Sequence, residues 1–363
     1  MNVAGQFSPP LRFVPPRRPG AGVLSPIESL SAAWRETLRL LLRPFNGRRW
    51  IMLSVVCMFL GGGTSTAAFQ WGFSTLPFDV NPAQILLRLR LIIAEHLSLI
   101  VLAVTLILGL VLALVYARCV LRFVLVDAVI KQDVALGPAW RNLQPFGRAY
   151  FFWLLGVLST LLLMASAVAL LSFPHLSSAR AESRPSWLAS LLLVTALAMV
   201  VLVGLLAAVV ITLTDDLVVP LIYAERISFP AAWGKVWKVA RRDMGTFVFY
   251  VALRFVVSIG ISVAVLFFLF PVLMGLSSGA IIAAALVILA LRVVGFAWVW
   301  NPVTMLLGVV ALLLLTGLLF ILLSVAGMPG QVYLQNYGVR FIASRAPSLE
   351  ALCRASSASG RRQ

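Results

Sequence analysis

Long apolar segments recur along this chain, and they restrict its fold more than any other feature. A helix needs about 20 apolar residues to cross a hydrocarbon core of ~30 Å. In lipid, such a segment must satisfy its own backbone hydrogen bonds, which favours the α-helix. The sequence therefore predicts an all-α, polytopic transmembrane helical bundle of about six spans. These spans run over Trp50–Phe69, Leu97–Tyr116, Tyr150–Phe173, Trp187–Leu213, Gly245–Gly275 and Thr304–Ala326.

The distribution of basic residues predicts how the spans are oriented. Eight arginines precede the first span, and five Lys or Arg residues lie in each of the second connection, the fourth connection and the tail. The first, third and fifth connections hold two, two and one. Because cytoplasmic loops retain Lys and Arg, this alternation places both termini in the cytoplasm. Arginine outnumbers lysine 26 to 3, which is typical of a GC-rich bacterial genome, so we expect a bacterial inner membrane protein.

The formal net charge of +17 fits the same arrangement, since basic loops face anionic lipid headgroups. Membrane lipids are therefore the expected partners, with a protein partner or homo-oligomer as a further option. Nucleic acid is not an expected partner. Hydrophobic residues make up 61% of the chain, so no polar domain is left to bind it.

Residues 280–300 are apolar enough to form a further span, interrupted by Arg292. A seventh crossing would place the basic tail outside, against the charge distribution. We therefore expect these residues to form a helix along the outer face. Pro82 and Pro302, each preceded by Asn, are expected to open the helices that enter the second and last spans.

Three regions follow from the composition. Residues 1–24 are rich in proline and arginine and predict a disordered cytoplasmic arm. Residues 25–340 form the transmembrane domain, and residues 341–363 form a basic cytoplasmic tail. The domain opens with an amphipathic helix, in which Ser25 and Glu28 form a capping box around Pro26. Its basic face and its tryptophan are typical of a helix in the membrane interface.

An internal repeat is predicted from the basic connections. The pair Ala-Trp follows a proline at Trp34, Trp140 and Trp233, and an aromatic residue and a glycine follow at the mouth of a span. The chain therefore divides into three parallel units, approximately 25–130, 131–225 and 226–340. Each unit contains an interfacial helix and two spans. The three tryptophans are candidate interfacial anchors.

The segments Arg43-Pro44-Phe45 to Phe59-Leu60-Gly61-Gly62-Gly63 and Val332-Tyr333-Leu334-Gln335-Asn336-Tyr337-Gly338 resemble an uncharacterised family of bacterial multi-pass membrane proteins. That family is similar to the membrane domain found beside some glycerophosphoryl diester phosphodiesterases. The resemblance implies an architecture rather than an activity. This chain has no soluble barrel domain, and neither of its histidines sits in a carboxylate-rich motif.

Charged residues inside a span are candidate sites, because burying them in lipid costs free energy. Arg254 lies about 13 Å into the fifth span, and Asp215 and Asp216 end the fourth span on the same side. We expect one of these aspartates to pair with Arg254, either as a structural ion pair or in a transport pathway. Arg122 and Asp127 close the second span and are expected to be solvated.

Gly61, Gly62 and Gly63 form the second candidate site. Glycine weakens a helix, and small residues let helices approach closely. The run therefore predicts either a packing face or a broken helix that lines a substrate cavity.

No catalytic set is present in the sequence. His96 and His175 are the only histidines, and no nucleophile and base, phosphate loop or carboxylate cluster is found. We therefore expect a non-enzymatic protein without a metal or cofactor. The first hypothesis is a scaffold or envelope and lipid-homeostasis component that acts through cytoplasmic interfacial helices. The alternative is a transporter or permease-like protein with a cavity near Gly61–Gly63 and Arg254.

Overall fold

The computed structural model describes residues 24–42, 45–60, 82–181, 187–293 and 302–359, and every element within them is helical. This confirms the all-α class. The helices are α1 (Pro26–Leu42), α2 (Gly47–Leu60), α3 (Pro82–Lys131), α4 (Leu136–Ala181), α5 (Trp187–Leu213), a π-helix (Thr214–Val218), α6 (Val219–Glu225), α7 (Phe229–Arg242), α8 (Met244–Val293), α9 (Pro302–Ala343) and α10 (Pro347–Ser359).

Five helices in the described ranges are long and apolar enough to cross a membrane. The predicted first span, Trp50–Phe69, lies partly outside the described residues, and α2 covers its first part. The prediction of six spans therefore remains a prediction. The five segments are Leu97–Lys131, Leu136–Val168, Val194–Glu225, Met244–Leu276 and Gly308–Ala343.

The long helices extend well beyond the thickness of a bilayer. α3 and α8 have 50 residues each, or about 75 Å at 1.5 Å per residue. α3 and α9 begin at Pro82 and Pro302, as predicted. Of residues 280–300, which we expected to form a helix along the outer face, residues 280–293 continue α8 to its end and the others lie outside the described residues. The apolar run after Gly275 contains no proline to end the helix, so α8 continues through it.

Burial divides the molecule into two parts. The buried side chains concentrate in residues 26–42, 45–60, 118–154, 214–253 and 324–353, which we call the packed module. Residues 97–114, 158–168, 194–206, 259–276 and 308–321, which we call the arms, are exposed over most of their apolar surface. Helices that are apolar on all sides suit a lipid solvent, where no hydrophobic force drives helices together.

Helix α1 enters the packed module through small side chains. Its capping box forms as predicted: the Ser25 N–H donates to Glu28 Oε2 at 2.8 Å, and the Glu28 N–H donates to Ser25 Oγ at 3.2 Å. The face with Ala33 and Thr37 is fully buried, and α9 packs closely against it. There Asn336 Nδ2 donates to Thr37 Oγ1 at 3.0 Å, so a polar bond fixes the register of α1 on α9.

The three predicted repeat units are not alike in structure. In the first and third, a short helix (α1 or α7) ends before the next helix begins. In the second, the Trp140 segment and the following span are one continuous helix, α4. A Cβ on Gly147 would lie 2.8 Å from the Val120 Cα, so this glycine permits close packing on α3 rather than a break. The alanine before each repeat tryptophan is buried in all three units.

Candidate functional site

A π-helix presents the two predicted aspartates to the interior of the packed module. α5 passes without a break into Thr214–Val218, which contains Asp215 and Asp216. Thr214 Oγ1 donates to the carbonyl of Val210 at 2.7 Å and is fully buried. Short π-helical segments inside α-helices frequently mark functional sites, because the extra residue redirects the side chains.

Asp216 forms the predicted ion pair with Arg254. Arg254 Nε lies 2.5 Å from Asp216 Oδ2, and Arg254 Nη2 donates to Oδ1 at 3.4 Å. Tyr250, one helical turn before the arginine, donates its hydroxyl to Oδ2 at 3.4 Å. The Asp216 side chain is only 1% exposed. A guanidinium that reaches both oxygens of a carboxylate is among the stronger charge-assisted contacts.

Arg122 joins the two aspartates and makes the cluster a network. Its Nε lies 3.4 Å from Asp215 Oδ1 and its Nη2 lies 3.3 Å from Asp216 Oδ1. Tyr150 donates its hydroxyl to Asp215 Oδ1 at 2.6 Å. Two guanidiniums thus balance two carboxylates, and the contacts connect α3, α4, the π-helix and α8. We call Arg122, Tyr150, Asp215, Asp216, Tyr250 and Arg254 the ion-pair cluster.

The expectation that Arg122 and Asp127 are solvated was wrong. Both residues are buried, because α3 is surrounded by other helices over its last three turns. Asp127 accepts a hydrogen bond of 2.5 Å from the Tyr223 hydroxyl and pairs with Lys131 Nζ at 2.7 Å. A buried charge needs such partners, and Lys131 provides the opposite charge one turn away.

Helix α9 closes the cluster with aromatic side chains and one glycine. The ring centroid of Tyr250 lies 4.9 Å from that of Tyr337 and 4.1 Å from that of Phe341. A Cβ at Gly338 would lie 2.6 Å from the Asp216 carbonyl oxygen and 2.9 Å from the Asp216 Cβ. Glycine is therefore required where α9 crosses the π-helix.

The sequence alone did not identify Tyr150, Tyr250 or Gly338 as members of this site. Tyr150 and Tyr250 lie near the start of predicted spans, where tyrosine is also expected as an interfacial residue. Both instead direct their hydroxyl groups to carboxylates. Gly61, Gly62 and Gly63 lie outside the described residues.

The three candidate anchor tryptophans have different surroundings. Trp34 is 55% exposed, and its ring meets the Tyr333 ring edge-on at 5.8 Å. Trp140 and Trp233 are half-buried against the core, and Trp233 stacks on Trp153 at 6.4 Å. On α7 the exposed tryptophan is Trp237 instead, which is 49% exposed.

Comparison with known proteins gives one family. The chain matches the "Family of unknown function (DUF7544)" over residues 24–352. The curated proteins and the solved structures give no match. The matched range begins just before the capping residue Ser25 and ends within α10, so it includes every helix that contributes to the ion-pair cluster. The chain therefore belongs to this family of unknown function.

Proposed function

We propose that the protein is a non-enzymatic membrane scaffold, a component of envelope or lipid homeostasis that acts through basic helices at the cytoplasmic face of a bacterial inner membrane. The observation that carries the proposal is the surface of the packed module. Its short helices α1 and α7 expose a tryptophan each, at Trp34 and Trp237, beside basic residues. Arg241 lies 5.0 Å from the Trp237 ring centroid. Exposed aromatic and basic side chains on one helix favour an interfacial position.

The proposal includes the topology of six spans, three parallel units and both termini in the cytoplasm. The position of the basic connections supports it. The α3–α4 turn, the α6–α7 turn and the end of α9 all lie in the packed module, so the basic connections are gathered at one end of the helices. The buried alanine before each repeat tryptophan supports the threefold relation. The likeness to the membrane domain beside some glycerophosphoryl diester phosphodiesterases is also part of the proposal, as an architectural relation only.

The ion-pair cluster has a structural role in this proposal. Its charges balance, and its carboxylates accept hydrogen bonds from two tyrosines and from arginine. Truncation of one member of a buried ion pair is strongly destabilising, whereas an intact pair fixes one arrangement of the helices. The cluster would thus hold the packed module together and set the angles at which the arms leave it.

The test removes the two exposed interfacial tryptophans. The full chain carrying Trp34→Ala and Trp237→Ala is expressed in a bacterial host and extracted in native nanodiscs, and its co-purifying lipids and proteins are quantified. We expect the recovery of at least one specific lipid or protein to fall severalfold relative to the unchanged chain. Both tryptophans are half-exposed, so the fold should persist.

Phe268→Ala is the matched control, because Phe268 is an exposed aromatic residue in an arm rather than in an interfacial helix. It should leave the co-purifying set unchanged. A double variant whose lipids and proteins equal those of the unchanged chain would contradict the scaffold proposal.

A transporter is the second candidate, and the π-helix favours it. Asp215 and Asp216 lie on a π-helix beside Arg254, and charged groups within spans often mark ion or proton pathways. Proteoliposomes with Arg254→Lys keep a positive charge beside Asp216 but lose the two-point guanidinium contact. Slower movement of a solute or proton than with the unchanged chain supports transport, and equal rates for every solute tested remove its main support.

A further inference from the structure

A cavity of about 400 Å³ opens where α2 begins, next to the turn between α3 and α4. Its wall combines the first residues of α2 with the turn and the first turn of α4. The ion-pair cluster does not contribute to this wall. The lining residues on the α2 side are Asn46, Arg48, Arg49 and Met52, and those on the other side are Asp133 and residues 134–138.

The cavity has an excess of positive charge. Arg49 Nη2 lies 3.7 Å from Asp133 Oδ1, a long contact to a carboxylate that is 66% exposed. Arg48 is exposed and forms no ion pair with any described residue. Within the described ranges, the guanidinium of Arg48 therefore has no counter-charge at the mouth of the cavity. The positive ends of α2 and α4, whose first turns line the cavity, add to the same potential.

An apolar stripe leads away from Arg48 along α2. Ile51, Val55 and Phe59 follow Arg48 at steps of three, four and four, so they share its face of the helix. All three are exposed, with Ile51 at 68%, whereas the opposite face, with Leu53 and Cys57, is fully buried. From Arg48 to Phe59 the helix rises about 16 Å, close to the depth of one leaflet of a ~30 Å hydrocarbon core.

We propose that this face of α2 and the cavity at its foot bind one anionic phospholipid of the surrounding bilayer. The lipid phosphate accepts hydrogen bonds from Arg48 and Arg49, and one acyl chain lies along Ile51, Val55 and Phe59. A guanidinium group can donate two hydrogen bonds to two oxygens of one phosphate. Along α2, positive charge is followed by apolar surface, and a phospholipid has the matching order of phosphate and then acyl chain. The inference rests on the proposed function, in which the packed module meets the membrane at its basic end.

The start of α2 is anchored to α1 before any lipid binds. Trp50 Nε1 donates to the Leu41 carbonyl at 2.8 Å, which ties the start of α2 to the end of α1. The Phe45 ring lies 5.9 Å from the Trp50 ring, and the Asn46 side chain accepts the Arg48 N–H at 3.0 Å. These contacts anchor the start of α2, which carries Arg48 and Arg49, and such anchoring lowers the entropic cost of binding.

The test measures lipid binding to the purified full chain in neutral detergent micelles. Phosphatidylglycerol, phosphatidylcholine and inorganic phosphate are titrated separately, and bound lipid is counted by native mass spectrometry. We expect phosphatidylglycerol to bind on the order of tenfold more tightly than phosphatidylcholine. Arg48→Ala and the double variant Arg48→Ala with Arg49→Ala should reduce that preference in steps. Inorganic phosphate should bind far more weakly than phosphatidylglycerol, because it lacks the acyl chain.

Arg148→Ala is the matched control, since it removes an exposed arginine from α4 outside the cavity and outside the interfacial helices α1 and α7. It should keep the full preference. Equal binding of both lipids to the unchanged chain, or an undiminished preference in the double variant, would overturn the inference. Inorganic phosphate that binds as tightly as phosphatidylglycerol would also overturn it, because the site would then recognise an anion and not a lipid. If the double variant fails to fold, the lipid preference of Arg48→Ala alone decides, because this substitution removes no ion pair between described residues. None of Trp34, Trp237 or Phe268 lines the cavity, so the two experiments change different residues and a failure of one proposal can be told from a failure of the other.

Discussion

The two parts of helix α3 differ in surroundings although both are rich in leucine and valine. Residues 97–114 are exposed on nearly every side, whereas residues 119–130 are all buried. The buried part carries Arg122 and Asp127, and the exposed part carries no charge at all. In this chain, charge rather than hydropathy therefore marks where helices pack together. The packed module is therefore stabilised by contacts between its own helices, whereas the exposed apolar helices of the arms are stabilised by the solvent around them.

The largest effect should come from removing the central carboxylate. Asp216→Ala leaves Arg254 and Arg122 without their shared partner in a buried site, which typically costs about 3–5 kcal/mol. The free energy of unfolding should fall by this amount. It is measured by intrinsic tryptophan fluorescence during titration with a denaturing detergent. Asp133→Ala is the control, because its pair with Arg49 is exposed and worth about 0–1 kcal/mol. Equal losses of unfolding free energy in the two variants would show that the buried and the exposed ion pairs contribute equally to stability.

The next effect concerns the tyrosine hydroxyl groups. Tyr150→Phe removes a hydrogen bond of 2.6 Å to Asp215, and a bond to a charged group contributes about 1.5–3 kcal/mol. Tyr250→Phe removes a contact of 3.4 Å to Asp216 and should cost less. Unfolding measurements on both variants would rank the two bonds. The reverse order would show that the Tyr250 hydroxyl has the more important role.

A smaller loss is expected where α9 crosses the π-helix. Gly338→Ala places a Cβ within 3 Å of the Asp216 backbone, and overpacking of this kind costs about 1–3 kcal/mol. Gly317→Ala is the control on the same helix, since no atom lies within 4 Å of its new Cβ. When both variants are unfolded thermally in the same detergent, Gly338→Ala should have the lower unfolding temperature. If Gly338→Ala is as stable as Gly317→Ala, the close approach does not constrain the module.

The smallest effect is expected in the arms. Phe268 is 76% exposed, and Phe268→Ala should change the stability of the packed module by less than about 0.5 kcal/mol. Alkylation of Cys353 can report on the module, because burial raises the pKa of this thiol and hides it from reagents. The alkylation rate should be the same with and without the substitution. Faster alkylation would mean that the arms and the packed module unfold together.

The sequence predicted the helical class, the start of α1 and the pairing of Arg254 with an aspartate. These features are local or follow from strong constraints: a capping box acts within four residues, and a buried guanidinium must find a carboxylate. The sequence did not predict that Arg122 joins the same cluster. Arg122 and Asp216 are 94 residues apart, and a charge near the end of a span has the same local pattern whether it faces water or another helix.

The continuity of the helices was also hard to predict from local patterns. An amphipathic segment before a span predicts a separate helix, and this is correct for α1 and α7. In α4 the same pattern is part of one long helix, because Gly147 packs against Val120 and does not end the helix. Only the packing partner distinguishes the two roles of glycine, and that partner lies on another helix.

The spacing of the ion-pair cluster along the chain has a consequence for biosynthesis. Asp216 follows Arg122 by 94 residues, and Arg254 follows Asp216 by 38. At a translation rate of about 5–20 residues per second, Arg122 is synthesised about 5–19 s before Asp216. Gly338, which seats the closing helix on the π-helix, is synthesised later still. Until then the charges of the nascent chain lack some of their partners, and the packed module can close only after the last long helix has been made.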